Sequence, residues 1–126
     1  MNSKVLLVGI DPNVIDYSSG PLAGFSAEGV MQVLEGAAAM FAPRGMEAEM
    51  CLIDFGETAE QVLAERLAAV RYDCVVIGAG VREPDETLIL FEKVVNLVHR
   101  LAPDAAIAFN SNPSDSLDAA LRWLRT

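Results

Sequence analysis

The chain has 126 residues, 52% hydrophobic and 21% charged, enough apolar content to fold around a core without metal or disulfide staples. Its net charge of -9 argues against nucleic-acid and membrane partners, because both need basic patches to meet phosphates or anionic lipid. Only 6% of the residues are aromatic, so the core has to come from Val, Leu, Ile, Ala and Met.

The opening Met1-Asn2-Ser3-Lys4 runs straight into the apolar Val5-Leu6-Leu7-Val8 without a signal-peptide pattern. No apolar run approaches the ~18 residues of a membrane span, so a cytoplasmic protein is expected. Lys4–Ile10 reads as the first strand, followed by a long loop over 11–25. Ser26 stands where a helix cap belongs, and the first helix should run to about Ala42, where Pro43-Arg44-Gly45 ends it. Ala48–Ile53 is the second strand. Glu47 and Glu49 alternate with Met46, Ala48 and Met50, the pattern of an edge strand with one wet end. Thr58-Ala59-Glu60-Gln61 has capping-box spacing and opens the second helix. Asp73–Gly78 is the third strand, apolar like the first and so suited to burial on both faces. Pro84, Asp85 and Glu86 suit the first turn of a third helix that continues through Leu88–Leu101. Ala105–Phe109 is the fourth strand. Asn112-Pro113-Ser114-Asp115 then supplies a cap, a proline and an acid for the fourth helix.

Four strands alternating with four helices predict a single α/β domain over 1–126. They form a three-layer sandwich around a four-stranded parallel sheet with right-handed crossovers. For so short a chain the expected strand order is 2-1-3-4. Cys51 and Cys74 then lie on strands that flank the first, at neighbouring heights and about 9–10 Å apart, too far for a disulfide.

Ligands of open α/β sheets bind beyond the carboxyl ends of the strands, where strand order reverses. Here that crevice falls between the 11–25 loop and the 78–83 segment. Asp11 directly follows the first strand and is the candidate acid–base; as Asp-Pro-Asn it is equally a turn-former. Asn13, Tyr17, Ser18 and Ser19 offer amide and hydroxyl groups to a phosphate or carboxylate, or else form an ordinary surface turn. Gly78 and Gly80 permit close backbone approach, and Arg82, the only cation in either loop, suits a bidentate anion contact. Its plain alternative is an ion pair with a neighbour such as Glu83. Asn110 leaves the fourth strand beside them.

Sharper motifs fail. Gly78-Ala79-Gly80 lacks the third glycine of a dinucleotide fingerprint and follows the wrong strand, and no phosphate-loop GxxxxGK[ST] occurs. His99 is the only histidine and falls on the polar arc of its helix with Glu92 and Asn96. One histidine and two strand cysteines make no zinc set, so neither metal nor cofactor is expected.

The rhythm of elements resembles the flavodoxin-like superfamily, which includes flavodoxins, response-regulator receiver domains and cobalamin-binding domains. The likeness covers essentially the whole chain and implies the 2-1-3-4 sheet. A flavodoxin would follow strand one with a compact phosphate loop, where Asp11-Pro12-Asn13-Val14 stands here. A receiver would end strand three in its phospho-acceptor aspartate, where this chain has Gly78-Ala79-Gly80. Leu52-Ile53-Asp54-Phe55-Gly56 through Tyr72-Asp73-Cys74-Val75-Val76-Ile77-Gly78 resembles the middle of a cobalamin-binding domain. Asn13 occupies the position of the cobalt-ligating histidine of that family's DxHxxG motif, so cobalamin binding through histidine is not expected and the likeness implies shared architecture.

Helix three is apolar over about half its circumference, through Leu88, Leu90, Phe91, Val94, Val95, Leu97, Val98 and Leu101, more than a sheet covers. Trp123 falls to one side of the core face made by Leu117, Ala120, Leu121 and Leu124. Together they predict a homo-oligomer; the alternative is intramolecular, with helix three tucked into a groove between the sheet and helix four. Two functions follow. One is a small-molecule-binding protein or enzyme acting on a small anionic metabolite, a hydrolase or lyase if catalytic. The other is a non-catalytic oligomeric scaffold or regulatory protein-interaction domain.

Overall fold

The computed structural model describes residues 2–124. Four parallel strands form one sheet: β1 (Ser3–Ile10), β2 (Met46–Ile53), β3 (Cys74–Ile77) and β4 (Ala106–Phe109), in the order β2-β1-β3-β4. The helices are α1 (Ala27–Ala39), α2 (Ala59–Ala69), α3 (Ala79–Arg82), α4 (Leu88–Leu101) and α5 (Ser116–Leu121). The architecture is an α/β sandwich, compatible with a flavodoxin-like fold.

Strand side chains alternate between two cores, as the pleat requires. Leu6, Val8, Ile10, Val75 and Ile77 point into one, with Leu63 and Leu67 of α2 and Leu90, Val94, Leu97 and Val98 of α4. Val5, Cys74, Val76 and Ala108 point into the other, against Phe41 behind α1 and Leu117, Ala119 and Ala120 of α5. Every residue of β3 is buried. β2 is wetter, with Glu47 paired to Lys4 of β1 at 3.7 Å and Glu49 to Arg66 of α2 at 3.9 Å. Arg66 also donates to the Met50 carbonyl, and the buried Tyr72 hydroxyl donates to Glu49, so this cluster ties the edge strand to α2.

The thiols are free and buried on opposite faces of the sheet. They do not lie at the neighbouring heights expected: Cys51 lies opposite Val8 and Cys74 opposite Val5, so register separates them in height as well as face. His99 is exposed, as its helical arc implies. No helix among the described residues is long and apolar enough to cross a membrane.

The starts of the elements differ from expectation in three places. Ser26 caps α1, accepting from the Gly29 N–H at 3.0 Å, and Asn112 with Asp115 forms a full capping box ahead of α5. At α2 the capping box does not form. The Thr58 hydroxyl donates to Asp54 at 2.7 Å and Gln61 reaches forward to Glu65 instead. Asp54 wins because its carboxylate also accepts from the Gly56 and Thr58 N–H groups, and charge makes it the stronger acceptor. Pro84 is extended, and a 3-10 turn over Asp85–Thr87 precedes α4. The 78–83 segment, expected as a loop, coils into the short α3 with Gly78 as its cap residue.

Candidate functional site

The carboxyl edge of β3 is assembled around Asn110, which follows β4 and is only 7% exposed. Its Oδ1 accepts the Ala79 N–H at 2.8 Å, and its Nδ2 donates to the Ser116 hydroxyl at 2.9 Å. The Ser116 hydroxyl, in a residue 3% exposed, donates in turn to the Pro113 carbonyl at 2.8 Å. One buried amide thereby joins the start of α3 to the start of α5. Buried side-chain amides are in the large majority hydrogen-bonded, as both ends of this one are.

Arg82 is the third partner. Its Nη2 donates to the Asn110 carbonyl at 2.6 Å, and its guanidinium carbon lies 5.7 Å from the centre of the Phe109 ring, within cation–π range. Phe109 is held in turn by an edge-to-face contact with Phe91 at 5.8 Å. Arg82 is half-buried; among the described residues its buried Nε has no hydrogen-bond partner, and Nη1, which is not buried, has none either. No carboxylate of the described residues comes within 4.0 Å of it, so the ion pair with Glu83 does not form. The cation expected to be free is therefore clamped from one side and open at a single nitrogen.

Gly78 serves the sheet. Its N–H donates to the Val8 carbonyl at 2.8 Å, and an added Cβ would lie 3.1 Å from that same oxygen. Backbone cannot yield there cheaply, which explains the glycine. A Cβ on Gly80 would meet only Ile10 Cγ1 at 3.9 Å, an ordinary contact.

The 11–25 segment folds mostly onto itself. Asp11 Oδ1 accepts the Asn13 N–H at 2.9 Å, making a cap for the 3-10 turn Pro12–Val14, and its backbone N–H donates to Ile53. The Tyr17 hydroxyl donates to the Pro12 carbonyl at 2.7 Å, and the Gly24 N–H closes the loop on the Tyr17 carbonyl. Ser18 gives both its N–H and hydroxyl to Asp16, whose carboxyl is held below its usual range by that hydroxyl first and the amide second. Asn13 and Ser19 keep exposed side chains, and Asn13 lines a cleft of about 550 Å³ with Met31, Gln32 and Glu35 of α1. Among the described residues no hydrogen bond joins this segment to Arg82 or to the 78–80 backbone. Thus Gly78, Arg82 and Asn110 are brought together, while Asp11, Asn13, Tyr17, Ser18 and Ser19 occupy the adjoining loop.

Three residues escaped the sequence reading. Ser116 carried a signal: a serine in the buried stripe with Ala119 and Ala120 needs a polar partner. Phe109 and Arg122, whose Nη2 donates to the Phe109 carbonyl at 2.8 Å, meet only through the return of α5 along β4 and had none. No protein-family model matches the chain, and no curated protein matches it either, so these contacts are the ground on which its function is inferred.

Proposed function

We propose that the protein binds a small anionic metabolite at the carboxyl edge of the sheet, between the 11–25 and 78–83 segments. Arg82 Nη1 is the charged contact. Support comes from one observation above all: a half-buried arginine, oriented by a main-chain carbonyl and an aromatic ring, has no carboxylate partner among the described residues of a chain of net charge -9. Removing a cation from water without a counter-charge costs free energy, and an incoming phosphate or carboxylate recovers it through a charge-assisted bond. Asp11, with only Oδ1 hydrogen-bonded, is the acid–base of this proposal if turnover accompanies binding, as hydrolysis or elimination.

The experiment is a thermal-shift screen of phosphorylated and carboxylate metabolites against the parent and Arg82→Gln. A ligand that stabilises the parent by mass action and leaves Arg82→Gln unmoved supports the site. Equal shifts in both proteins, or no shift with any anion, refute it.

A second function, as a self-associating interaction domain, draws on the exposure of Phe25 at 58%, Ile89 at 60% and Trp123 at 61%. Its measure is the solution mass of the parent by light scattering, and a monomer at every concentration removes it.

A further inference from the structure

The two edges of the sheet are protected in different ways. An edge strand presents a row of unpaired backbone groups to any other strand, and charged side chains are a common defence. β2 carries its own defence in the Glu47–Lys4 and Glu49–Arg66 pairs. β4 has none in its sequence, since Ala106-Ile107-Ala108-Phe109 is uncharged, free of proline and rich in strand-forming side chains. Among the described residues β4 has only β3 as a neighbouring strand. The Ala106 N–H is spent on the Asp73 carbonyl, so by strand alternation the backbone groups of Ile107 and Phe109 face outward.

Arg122, at the carboxyl end of α5, places its Nη2 2.8 Å from the Phe109 carbonyl, one of those outward acceptors. Its charge also lies near enough to Asp115 to help hold that carboxyl below its usual range, after the larger effect of the Ser111 hydroxyl. Within 4.0 Å, no carboxylate of the described residues neutralises it. An arriving strand would have to displace this hydrogen bond and bury the guanidinium against its own backbone.

We infer that Arg122 is the guard of the β4 edge, lent by α5 to a strand with no charge of its own, and that the partner it excludes is β4 of a second copy. A strand pairing with its own copy across a twofold axis meets an identical apolar sequence, so nothing else in β4 opposes the match.

The test uses the full chain as parent, Arg122→Ala and Arg122→Lys, each checked for folding by circular dichroism. Sedimentation gives the self-association constant, and hydrogen exchange gives the protection of the Ile107 amide. Arg122→Ala should associate at least about tenfold more tightly than the parent, with the Ile107 amide newly protected in the associated form. Arg122→Lys, which keeps a charge and a donor, should behave as the parent. Unchanged association of Arg122→Ala overturns the inference. So does tighter association that leaves the Ile107 amide exchanging freely, because contact is then through another face. An Arg122→Lys protein that associates as Arg122→Ala does overturns the role of the charge.

Discussion

Asn110→Ala is the perturbation that tests how the carboxyl edge is built. The change removes an acceptor and a donor from a site that is 7% exposed. The Ala79 N–H loses its only partner among the described residues, at a cost of about 1–3 kcal/mol for a stranded donor. The bond to Ser116 contributes about 1 kcal/mol more, while Ser116 keeps its donation to Pro113. Together the loss is about 3 kcal/mol, which at a typical urea m-value of about 2 kcal/mol/M lowers the midpoint by about 1.5 M. Ser116→Ala loses both the Asn110 bond and the donation to Pro113 and should cost about 2 kcal/mol. Because the Asn110–Ser116 bond is counted in both single variants, the double variant should fall short of additivity by about 1 kcal/mol. Urea unfolding of the four proteins, followed by circular dichroism, gives all three figures. A loss below about 0.5 kcal/mol for Asn110→Ala would refute the keystone role, since that is the scale of an ordinary surface change. Full additivity would refute the shared bond.

Arg82→Ala should cost about 1–2 kcal/mol in the same assay, more than an exposed cation would, because it loses a main-chain bond and the Phe109 contact. Asp54 has its carboxyl held below the usual range, by the Thr58 hydroxyl first and then the Gly56 N–H. Its contribution is present above pH 3.8 and lost as pH falls through the lower folded value, so Asp54→Ala should flatten the acid limb of the stability profile. Burial pushes the Cys74 thiol from 9.0 to about 11 and the Tyr72 phenol from 10.0 to about 12, the latter with help from Glu49. Stability from both is complete below the unfolded values and lost as pH rises through the folded ones. Tyr72→Phe should therefore remove the part of the alkaline decline that falls between pH 10.0 and about 12. Cys51 and Cys74 should give no intramolecular disulfide in non-reducing mass spectrometry, and any such bond would contradict their placement on opposite faces of the sheet. Trp123→Ala should lower the assembly state if the exposed indole anchors contact between copies, and light scattering reads the difference.

Strand order and fold class were legible in the sequence because they rest on repetition. Apolar runs of strand length alternate with helical patterns, and few topologies accept that rhythm. Caps were legible where the acceptor lies within the motif itself, as at Ser26 and Asn112. They failed at Thr58, where a carboxylate four residues upstream competes for the same donors. Propensity around Gly78-Ala79-Gly80 pointed to a loop, and the chain made α3 there, with the Ala79 N–H secured by an amide 31 residues away.

By itself, the sequence determined what depends on local periodicity and composition: an α/β chain, a parallel sheet in the order β2-β1-β3-β4, a wet β2 rim and buried thiols. Only the tertiary structure decided which polar groups meet. That Arg82 would turn to the Asn110 carbonyl and not to adjacent Glu83, that Ser116 would complete the Asn110 amide, and that Arg122 would reach β4 are outcomes of helix docking. Hydrogen bonds are short-ranged and directional, so residues far apart in sequence become partners only after packing has set their separation to within a fraction of an ångström.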